Sequence, residues 1–351
     1  MKGRKAKLTG VGTCTPPAIS NNDFIRIFGK KAAAVDRMIP HKSRYLGIDI
    51  ATGLALTTNT DMAVQASLKA VDMAGIFVDD IDMIIFASAS PDYLLPTCFT
   101  TLQAKLKIRE CMGMDIRSGC SGFATALITA EQYIKSGMVE NVLVIGSELN
   151  STRSSILYKD GIKGFPLKAL FNLMLFGDGA GAVVIQSTCE DDEGVFCSFM
   201  GSTKAHVPSG SRLGVGGSRE PFPLDTIRKE DWLIYQEPKI TEEMIPLVFL
   251  EAVEKLRNVH KLELSAFDCF IFPIDSENIL QSILAFLPGL DQDKIVSISS
   301  VGGSMVNASI PVSLAKAFSE GKLKKGNRIL IYAAENTQWQ YAVIGLDCSF
   351  S

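Results

Sequence analysis

Short apolar runs rich in valine, isoleucine and phenylalanine alternate along the chain with longer segments whose apolar residues recur every three or four positions. The short runs are typical of strands buried on both faces, and the longer segments are typical of helices. The predicted strands cover residues 81–90, 141–148, 181–187, 268–273 and 328–334, and the predicted helices cover 61–74, 121–136, 242–257 and 311–320. This alternation predicts an α/β fold in which helices are layered on sheets.

The pattern repeats once within the chain. The run "DMIIFA" begins at Asp82, and the similar run "DCFIFP" begins at Asp268. The runs "NVLVIGSE" and "RILIYAAE" end at Glu148 and Glu335, so the two pairs of runs have almost the same separation along the chain. A helix and a glycine-containing turn precede the second strand in both cases. The shared order of elements favours an internal duplication.

Two halves are therefore expected, residues 1–190 and residues 231–351, with the cysteine discussed below in the first. The segment 191–230 is expected to be an irregular connecting excursion, because it is rich in glycine, serine and proline.

Composition and charge exclude several classes of protein. The chain has 351 residues, of which 47% are hydrophobic, and its net charge of −3 gives no support for nucleic-acid binding. It contains no continuous apolar run of the roughly 18 residues needed to span a bilayer, and its basic N-terminus lacks the apolar core of an export signal. Its eight cysteines show neither CxxC pairs nor zinc-ligand spacing. We expect a cytoplasmic protein with reduced thiols and no membrane association.

The stretch "DIRSGCSGFATAL" (115–127) sets Cys120 between two glycines, after a short strand and before a helix. A helix N-terminus favours the thiolate form of a cysteine, and Gly119 and Gly122 permit a tight turn and a close approach of substrate. The N–H group of Cys120 can also hold a developing oxyanion. This spacing alone leaves two interpretations open, a nucleophile or an ordinary buried thiol.

The segments "ASASPDYLLPT", "GCSGFATAL", "SGMVENVLVIGSE" and "LFGDGAGAVVI", together with "GGSMVNASIPVSLAKAFSEGKLKKGNRILI" (302–331), change that balance. In order and spacing they resemble the β-ketoacyl-acyl carrier protein synthase III family of the thiolase-like superfamily, over about residues 8–348. The resemblance implies a five-layered αβαβα fold and a homodimer, or a heterodimer with a homologous synthase. It implies acyl-CoA or acyl carrier protein as substrate, with neither cofactor nor metal.

The resemblance also implies roles for particular residues. Cys120 matches the acyl-accepting cysteine, and Asp178 in "FGDGAGA" matches a position whose role is mostly structural. Residues 91–96 match a stretch that reaches across the family's dimer, so Leu95 is a candidate for the acyl pocket of the partner subunit. Ordinary core packing is an equally good interpretation of Leu95.

The chain departs from the family pattern at three places around the cysteine. Ile274 stands where the family has the histidine, and Ser304 stands where it has the asparagine, that together hold the thioester oxygen during decarboxylative condensation. Asn307, further on in the sequence, is a weak substitute for the missing asparagine. Glu335 and Asn336 replace glycines after the last core strand, where their side chains would crowd or polarise the pocket.

A replacement base is hard to find in the sequence. Of the three histidines, His260 is expected at a helix end, His41 in a polar stretch, and His206 in the irregular segment, from which it could fold over the site. Asp275 is a further candidate, but a carboxylate beside a thiolate raises the pKa of the thiol and would not activate Cys120.

We therefore expect an acyltransferase or specialised condensing enzyme that loads an acyl group onto Cys120 and passes it to an acceptor, in fatty-acid-like, polyketide or secondary-metabolite biosynthesis. Ile274, Ser304 and Asn307 are its candidate substrate-binding residues, with Leu95 added across the dimer. The alternative is a catalytically degenerate partner subunit of a heteromeric condensing enzyme. A thiol-dependent hydrolase is less favoured, because it needs a general base that the sequence does not offer.

Overall fold

The computed structural model describes residues 3–190, 193–215, 217–218, 228–274, 276–287 and 289–349. The strands in these ranges are β1 (Lys5–Cys14), β2 (Ala18–Ser20), β3 (Ser43–Tyr45), β4 (Met83–Ala87), β5 (Met112–Ile116), β6 (Asn141–Glu148), β7 (Gly179–Thr188), β8 (Gly194–Ser202), β9 (Ser211–Arg212), β10 (Tyr235–Gln236), β11 (Cys269–Ile271), β12 (Ile295–Val296), β13 (Arg328–Glu335) and β14 (Gln340–Asp347).

The α-helices in the same ranges are α1 (Asn21–Phe28), α2 (Lys30–Asp36), α3 (Asn59–Ala74), α4 (Cys98–Leu106), α5 (Gly122–Lys135), α6 (Leu167–Leu175), α7 (Pro238–Asn258), α8 (Glu277–Phe286), α9 (Ser299–Gly302) and α10 (Ser309–Ser319). Short 3₁₀ helices cover Val78–Asp80, Gly119–Ser121, Asn150–Asp160, Ile162–Gly164, Lys229–Trp232, Leu264–Ala266, Gln292–Lys294 and Val306–Ala308.

Two five-stranded sheets have the same topology. The first has the strand order β1-β7-β6-β4-β5 and the second has β8-β14-β13-β11-β12. In each sheet the last three strands in these orders are parallel to one another, and the other two pairs are antiparallel. The repeat seen in the sequence therefore relates β4 to β11 and β6 to β13.

The two sheets enclose a helical layer made of α5 and α10, which contacts strands of both sheets. Helices α3 and α4 cover the outer face of the first sheet, while α7 covers the outer face of the second and α8 packs beside α7 in the same hydrophobic cluster. The strands β4 and β6 are apolar on both faces because helices cover both faces of the sheet. The result is the expected α/β fold with five layers in the order αβαβα.

All five predicted strands and all four predicted helices are present; β6 has the predicted ends, and the ends of the others are shifted. Strand β1 has no counterpart among the predictions because glycines interrupt its apolar pattern. Those glycines are required by packing: a Cβ atom added at Gly10 or Gly12 would lie 2.0 or 2.2 Å from a backbone oxygen of α3. Close contact between a strand and a helix thus removes the side chains on which strand prediction depends.

One expectation needs correction in part. The segment 191–230 is not irregular throughout, because Gly194–Ser202 forms the strand β8 at the edge of the second sheet. Its alternation of buried and exposed residues is typical of such a strand. Residues 219–227 lie outside the described residues.

No helix among the described residues is both long enough and apolar enough to cross a bilayer.

Candidate active site

Cys120 lies at the junction between the first sheet and the central helical layer. The chain leaves β5 at Ile116, forms the 3₁₀ helix Gly119–Ser121 and continues directly into α5. Gly119 has a φ of 43°, a backbone conformation that favours glycine. The position expected for Cys120, at the start of a helix after a strand, is confirmed.

Two cavities meet at this cysteine. The outer cavity, of about 250 Å³, is lined in part by Cys120, Arg153, Phe171 and Glu335. It continues into a wider surface groove of about 340 Å³ through the shared residues Met38, Phe171, Ile234, Gln236 and Pro238. The inner cavity, of about 100 Å³, is lined by Cys120, Thr241, Ile245, Pro273, Ile274, Ile279, Ile283, Ser304, Val306, Ser309, Tyr332, Ala334 and Asn336.

The buried carboxyl group of Glu335 packs against the start of α5. A Cβ atom added at Gly119 would lie 1.7 Å from Glu335 Oε2, so Gly119 makes room for this carboxyl group. The N–H group of Thr337 donates a hydrogen bond of 2.6 Å to Oε1. Burial raises the pKa of Glu335, and the backbone N–H groups of Thr337, Cys120 and Ser121 oppose that rise. Oε2 is buried without a hydrogen bond of normal geometry.

A second buried carboxyl group, that of Glu148, ends the strand β6. It accepts hydrogen bonds from Asn307 Nδ2 at 2.6 Å, from the N–H group of Ala89 at 2.9 Å and from Ser90 Oγ. Burial raises its pKa, whereas these donors and the charge of Arg153 lower it. Asn307 is fully buried and lines neither cavity. Asn307, a weak candidate to substitute for the missing asparagine, donates its amide N–H to Glu148 and lines neither cavity.

Asn150 and Arg153, which sequence reasoning did not select, also line the outer cavity. Arg153 Nη2 donates to the carbonyl oxygen of Ala89 at 2.7 Å. The side-chain amide of Asn150 is buried and has no hydrogen-bond partner within the described part of the chain. Both residues follow the carboxyl end of β6, which pairs in parallel with β4. This position could have identified them from the sequence, because sites in α/β sheets form at such ends.

Comparisons with known proteins agree with this geometry. Residues 114–204 match the family model for 3-oxoacyl-(acyl-carrier-protein) synthase III, and residues 258–342 match the model for its C-terminal part. A β-ketoacyl-(acyl-carrier-protein) synthase III from Koribacter versatilis is 30% identical over 337 residues, 94% of each chain. One from Ehrlichia canis is 30% identical over 325 residues, 92% of this chain and 93% of that one.

The chain belongs to the β-ketoacyl-acyl carrier protein synthase III family. Among solved structures, the synthase III of Pseudomonas aeruginosa superposes with a TM-score of 0.81 at 20% identity, over 98% of each chain. A tetronic acid condensing enzyme superposes with a TM-score of 0.83 at 24% identity, over 97% of this chain and 99% of that one. Both share the thiolase-like fold. The chain is accordingly an enzyme of the acyltransferase and condensing class.

Ile274 and Ser304, which the resemblance aligns with the family's histidine and asparagine, both line the site. Ser304 is buried and faces both cavities, while Ile274 is half-buried and faces the inner cavity. Glu335 and Asn336, which the resemblance aligns with glycines of the family, line the outer cavity. The cluster of Cys120, Ile274, Ser304 and Glu335 is therefore brought together by the fold.

Leu95 and Asp178 lie away from the cavities. Leu95 is 84% exposed, beside the exposed Tyr93 and Leu94, so its interpretation as ordinary core is wrong for this chain. A role in the acyl pocket of a partner subunit stays a prediction. Asp178 is buried and accepts a hydrogen bond of 2.8 Å from the N–H group of Gly47 and two more from Ser151. Burial raises its pKa to about 6.

The other candidate bases do not line the site. His206 is exposed, His41 is buried, and neither contributes to the outer or the inner cavity. His260 stacks on Phe199 at 4.7 Å, just beyond the end of α7, as expected. Asp275 lies outside the described residues.

Proposed function

We propose that this enzyme takes an acyl group from a thioester of coenzyme A or of an acyl carrier protein onto Cys120 and transfers it to an acceptor. The observation that carries the proposal is the position of Cys120, at the start of α5 where the outer and inner cavities meet. A nucleophile between two cavities has separate space for the two substituents of a thioester carbonyl. Packing alone would be satisfied by alanine or serine at this position.

The donor enters through the surface groove and the outer cavity. Arg212 lines the outer cavity and Lys168 lines the groove, so positive charge borders the route. Phosphate groups are bound well by such side chains, and both kinds of donor carry phosphate on the arm that bears the thioester. The acyl carbon would then reach Sγ of Cys120.

Glu335 supplies the group that stabilises the negative oxygen. The N–H groups of Cys120 and Ser121 face its carboxyl group, which lines the outer cavity beside the cysteine. Burial raises the pKa of this carboxyl group, and in its neutral form such a group can donate its proton to a developing oxyanion. Glu335 thereby supplies a hydrogen-bond donor that the side chain of Ile274 cannot provide.

The step balances without a cofactor. Sγ forms a bond to the acyl carbon, the bond from that carbon to the donor sulfur breaks, and the thiol proton of Cys120 ends on the released thiol. The acceptor then attacks the new thioester and frees Cys120. An acceptor that is itself a nucleophile needs no decarboxylation, which suits a site that has isoleucine and serine in place of histidine and asparagine.

The test is the intact mass of the protein after incubation with acyl-CoA and acyl-carrier-protein donors, beside a Cys120→Ala control. A single acyl adduct that is absent from the control is the expected result. If no donor gives an adduct, the proposal is overturned in favour of a degenerate partner subunit. That subunit should copurify with an active homologue.

A further inference from the structure

The outer cavity has a second opening to the surface. Glu242, on α7, lines the outer cavity and also a separate groove of about 480 Å³ that runs between α7 and α8. Glu243 and Leu247 of α7 line one side of this α7–α8 groove, and Asn278 and Phe286 of α8 line the other. In each pair the two residues are one or two helical turns apart and therefore lie on the same face of their helix. A substrate thus has two routes to the reactive thiol, the surface groove and the α7–α8 groove.

The two grooves differ in charge. Lys168 lines the surface groove, and no carboxyl group lines it among the described residues. The α7–α8 groove is lined by two carboxyl groups, those of Glu242 and Glu243, and by one lysine, Lys239. The phosphate groups of the donor are therefore favoured beside Lys168 and disfavoured beside Glu242. The α7–α8 groove is left for a substrate that carries the opposite charge.

The outer cavity also contains polar atoms that the protein itself leaves unused. Glu242 is half-buried and accepts hydrogen bonds of 3.1 Å from Asn278 Nδ2 and 3.5 Å from Ser276 Oγ, but it forms no ion pair within the described part of the chain. The side-chain amide of Asn150 is buried in the wall of the same cavity, and neither its oxygen nor its nitrogen has a hydrogen-bond partner among the described residues. Buried polar groups are normally hydrogen-bonded, so we expect a ligand to supply the missing partners. Amino groups supply N–H donors, and an ammonium group adds the positive charge that matches the carboxylate of Glu242.

We propose that the acceptor is a small aliphatic diamine that enters through the α7–α8 groove, with one amino group held as an ammonium by Glu242. This proposal rests on the proposed function. The outer cavity is open to the acceptor once the donor thiol has left, because the acyl group is then bonded to Sγ of Cys120. The second amino group, in its neutral form, attacks the acyl carbon; the bond from that carbon to Sγ breaks, and one N–H proton ends on Sγ. The product is an amide, and no carboxyl group is lost.

The experiment follows the loss of the acyl adduct from Cys120 by intact mass. The adduct is formed with acyl-CoA, separated from excess donor and mixed with diaminobutane, aminobutanol or aminobutanoate, which present the same nucleophile with a positive, neutral or negative far end. The reaction of each amine with acyl-CoA alone gives the uncatalysed reference rate. Relative to that reference, diaminobutane should remove the acyl group about tenfold faster than aminobutanol, the effect of one charge-assisted hydrogen bond, and aminobutanoate should be the slowest.

Two substitutions of Glu242 test the charge directly. Glu242→Gln removes the charge with little change of shape and should cancel the advantage of diaminobutane over aminobutanol. Glu242→Lys reverses the charge and should make aminobutanoate the fastest of the three, an exchange that a merely structural role would not produce. Glu254→Gln is the matched control: Glu254 is exposed on α7 and lines neither the outer cavity nor the α7–α8 groove, so its variant should keep the native order of rates. Thermal unfolding checks that each variant is folded.

The outcomes separate this proposal from the proposed function. Equal relative rates for the three amines with the native enzyme would overturn the diamine acceptor and leave the proposed function in place. So would a preference for aminobutanoate, which would move the binding group to Arg212, or an order of rates that is unchanged in both variants of Glu242. Absence of any adduct with acyl-CoA or acyl-carrier-protein donors overturns the proposed function itself.

Discussion

Both halves of the chain place a buried carboxyl group beside the start of a central helix, but the surroundings of the two carboxyl groups differ. Cys120 and Asn307 occupy equivalent positions, since each lies in a 3₁₀ helix that leads into a central helix, α5 or α10. Glu148 and Glu335 have the same separation along the chain as Cys120 and Asn307, and they end the equivalent strands β6 and β13. The contacts are crossed between the halves: Glu335 faces the backbone at Cys120, and Glu148 binds Asn307.

The pair formed by Glu148 and Asn307 is closed. Both side chains are fully buried, and the carboxyl oxygens of Glu148 accept hydrogen bonds from Asn307, Ala89 and Ser90. The pair formed by Glu335 and Cys120 is open, because both residues line the outer cavity. The duplicated scaffold thus supplies a helix start and a carboxyl group twice. The adjoining cavity and the thiol distinguish the site that can react from the one that stabilises the fold.

The largest expected effect on the acylation rate comes from removing the carboxyl group of Glu335 from the open pair. Glu335→Ala should slow acylation of Cys120 by about 10²–10³-fold, because losing one preorganised oxyanion donor costs about 2.7–4 kcal/mol. Glu335→Gln keeps an N–H donor at the same place and should stay within about tenfold of the native rate. Single-turnover acylation followed by intact mass checks both. If the glutamine variant is as slow as the alanine variant, Glu335 acts as a base and not as a donor.

Disrupting the closed pair of Glu148 and Asn307 should lower the stability of the fold and leave the acylation rate nearly unchanged. Asn307→Ala leaves the buried carboxyl group of Glu148 without one of its donors, and should lower the free energy of unfolding by about 1–3 kcal/mol. Urea denaturation measures this change. Because Asn307 lines neither cavity, the acylation rate per folded molecule should stay near the native value. A large loss of rate without loss of stability would show that the two pairs are coupled through α5 and α10.

A smaller effect is expected from pH. Burial raises the pKa of Glu335 above its ordinary value of 4.5, so the folded protein keeps this proton to a higher pH than the unfolded chain does. Its contribution to stability is complete below that ordinary value and is lost as pH rises through the raised pKa. The ratio of the native acylation rate to that of Glu335→Gln should fall over the same range. Dividing by the glutamine variant removes the change due to ionisation of the thiol. A ratio independent of pH would exclude titration of Glu335 in the reaction.

The smallest expected effect tests whether a thiol at the start of a central helix is sufficient for acylation. In a Cys120→Ala background, Asn307→Cys sets a thiol at the equivalent position of the second half. We expect no acyl adduct above that of Cys120→Ala alone, because residue 307 lines neither the outer nor the inner cavity. Mass spectrometry of the folded variant provides the measurement. An adduct on residue 307 would mean that the cavities do not select the reactive position.

The sequence was sufficient for the elements whose signals are local. The strands β4, β6, β11 and β13 could be predicted because their apolar runs are continuous. Cys120 could be assigned to a helix start because glycines flank it between a strand and a helix. The matching runs that end at Glu148 and Glu335 even indicated the duplication that relates the two sheets.

Contacts between distant segments could not be predicted in this way. Asn307 was a candidate for the site because it lies close in sequence to Ser304, yet its side chain turns into the core, where Glu148 binds it. The outer and inner cavities combine residues from both halves, and their volumes depend on how α7 and α8 pack over the second sheet.

The sequence by itself determined the α/β layering, the internal repeat and the helix start that holds Cys120, because periodicity and turn residues act over a few positions. Tertiary structure decided that Glu335, from the opposite half of the chain, meets the start of α5, and that Asn307 is sealed away from the site. The reason is physical: hydrogen bonds of buried groups and the shapes of cavities depend on which side chains the packed layers bring together.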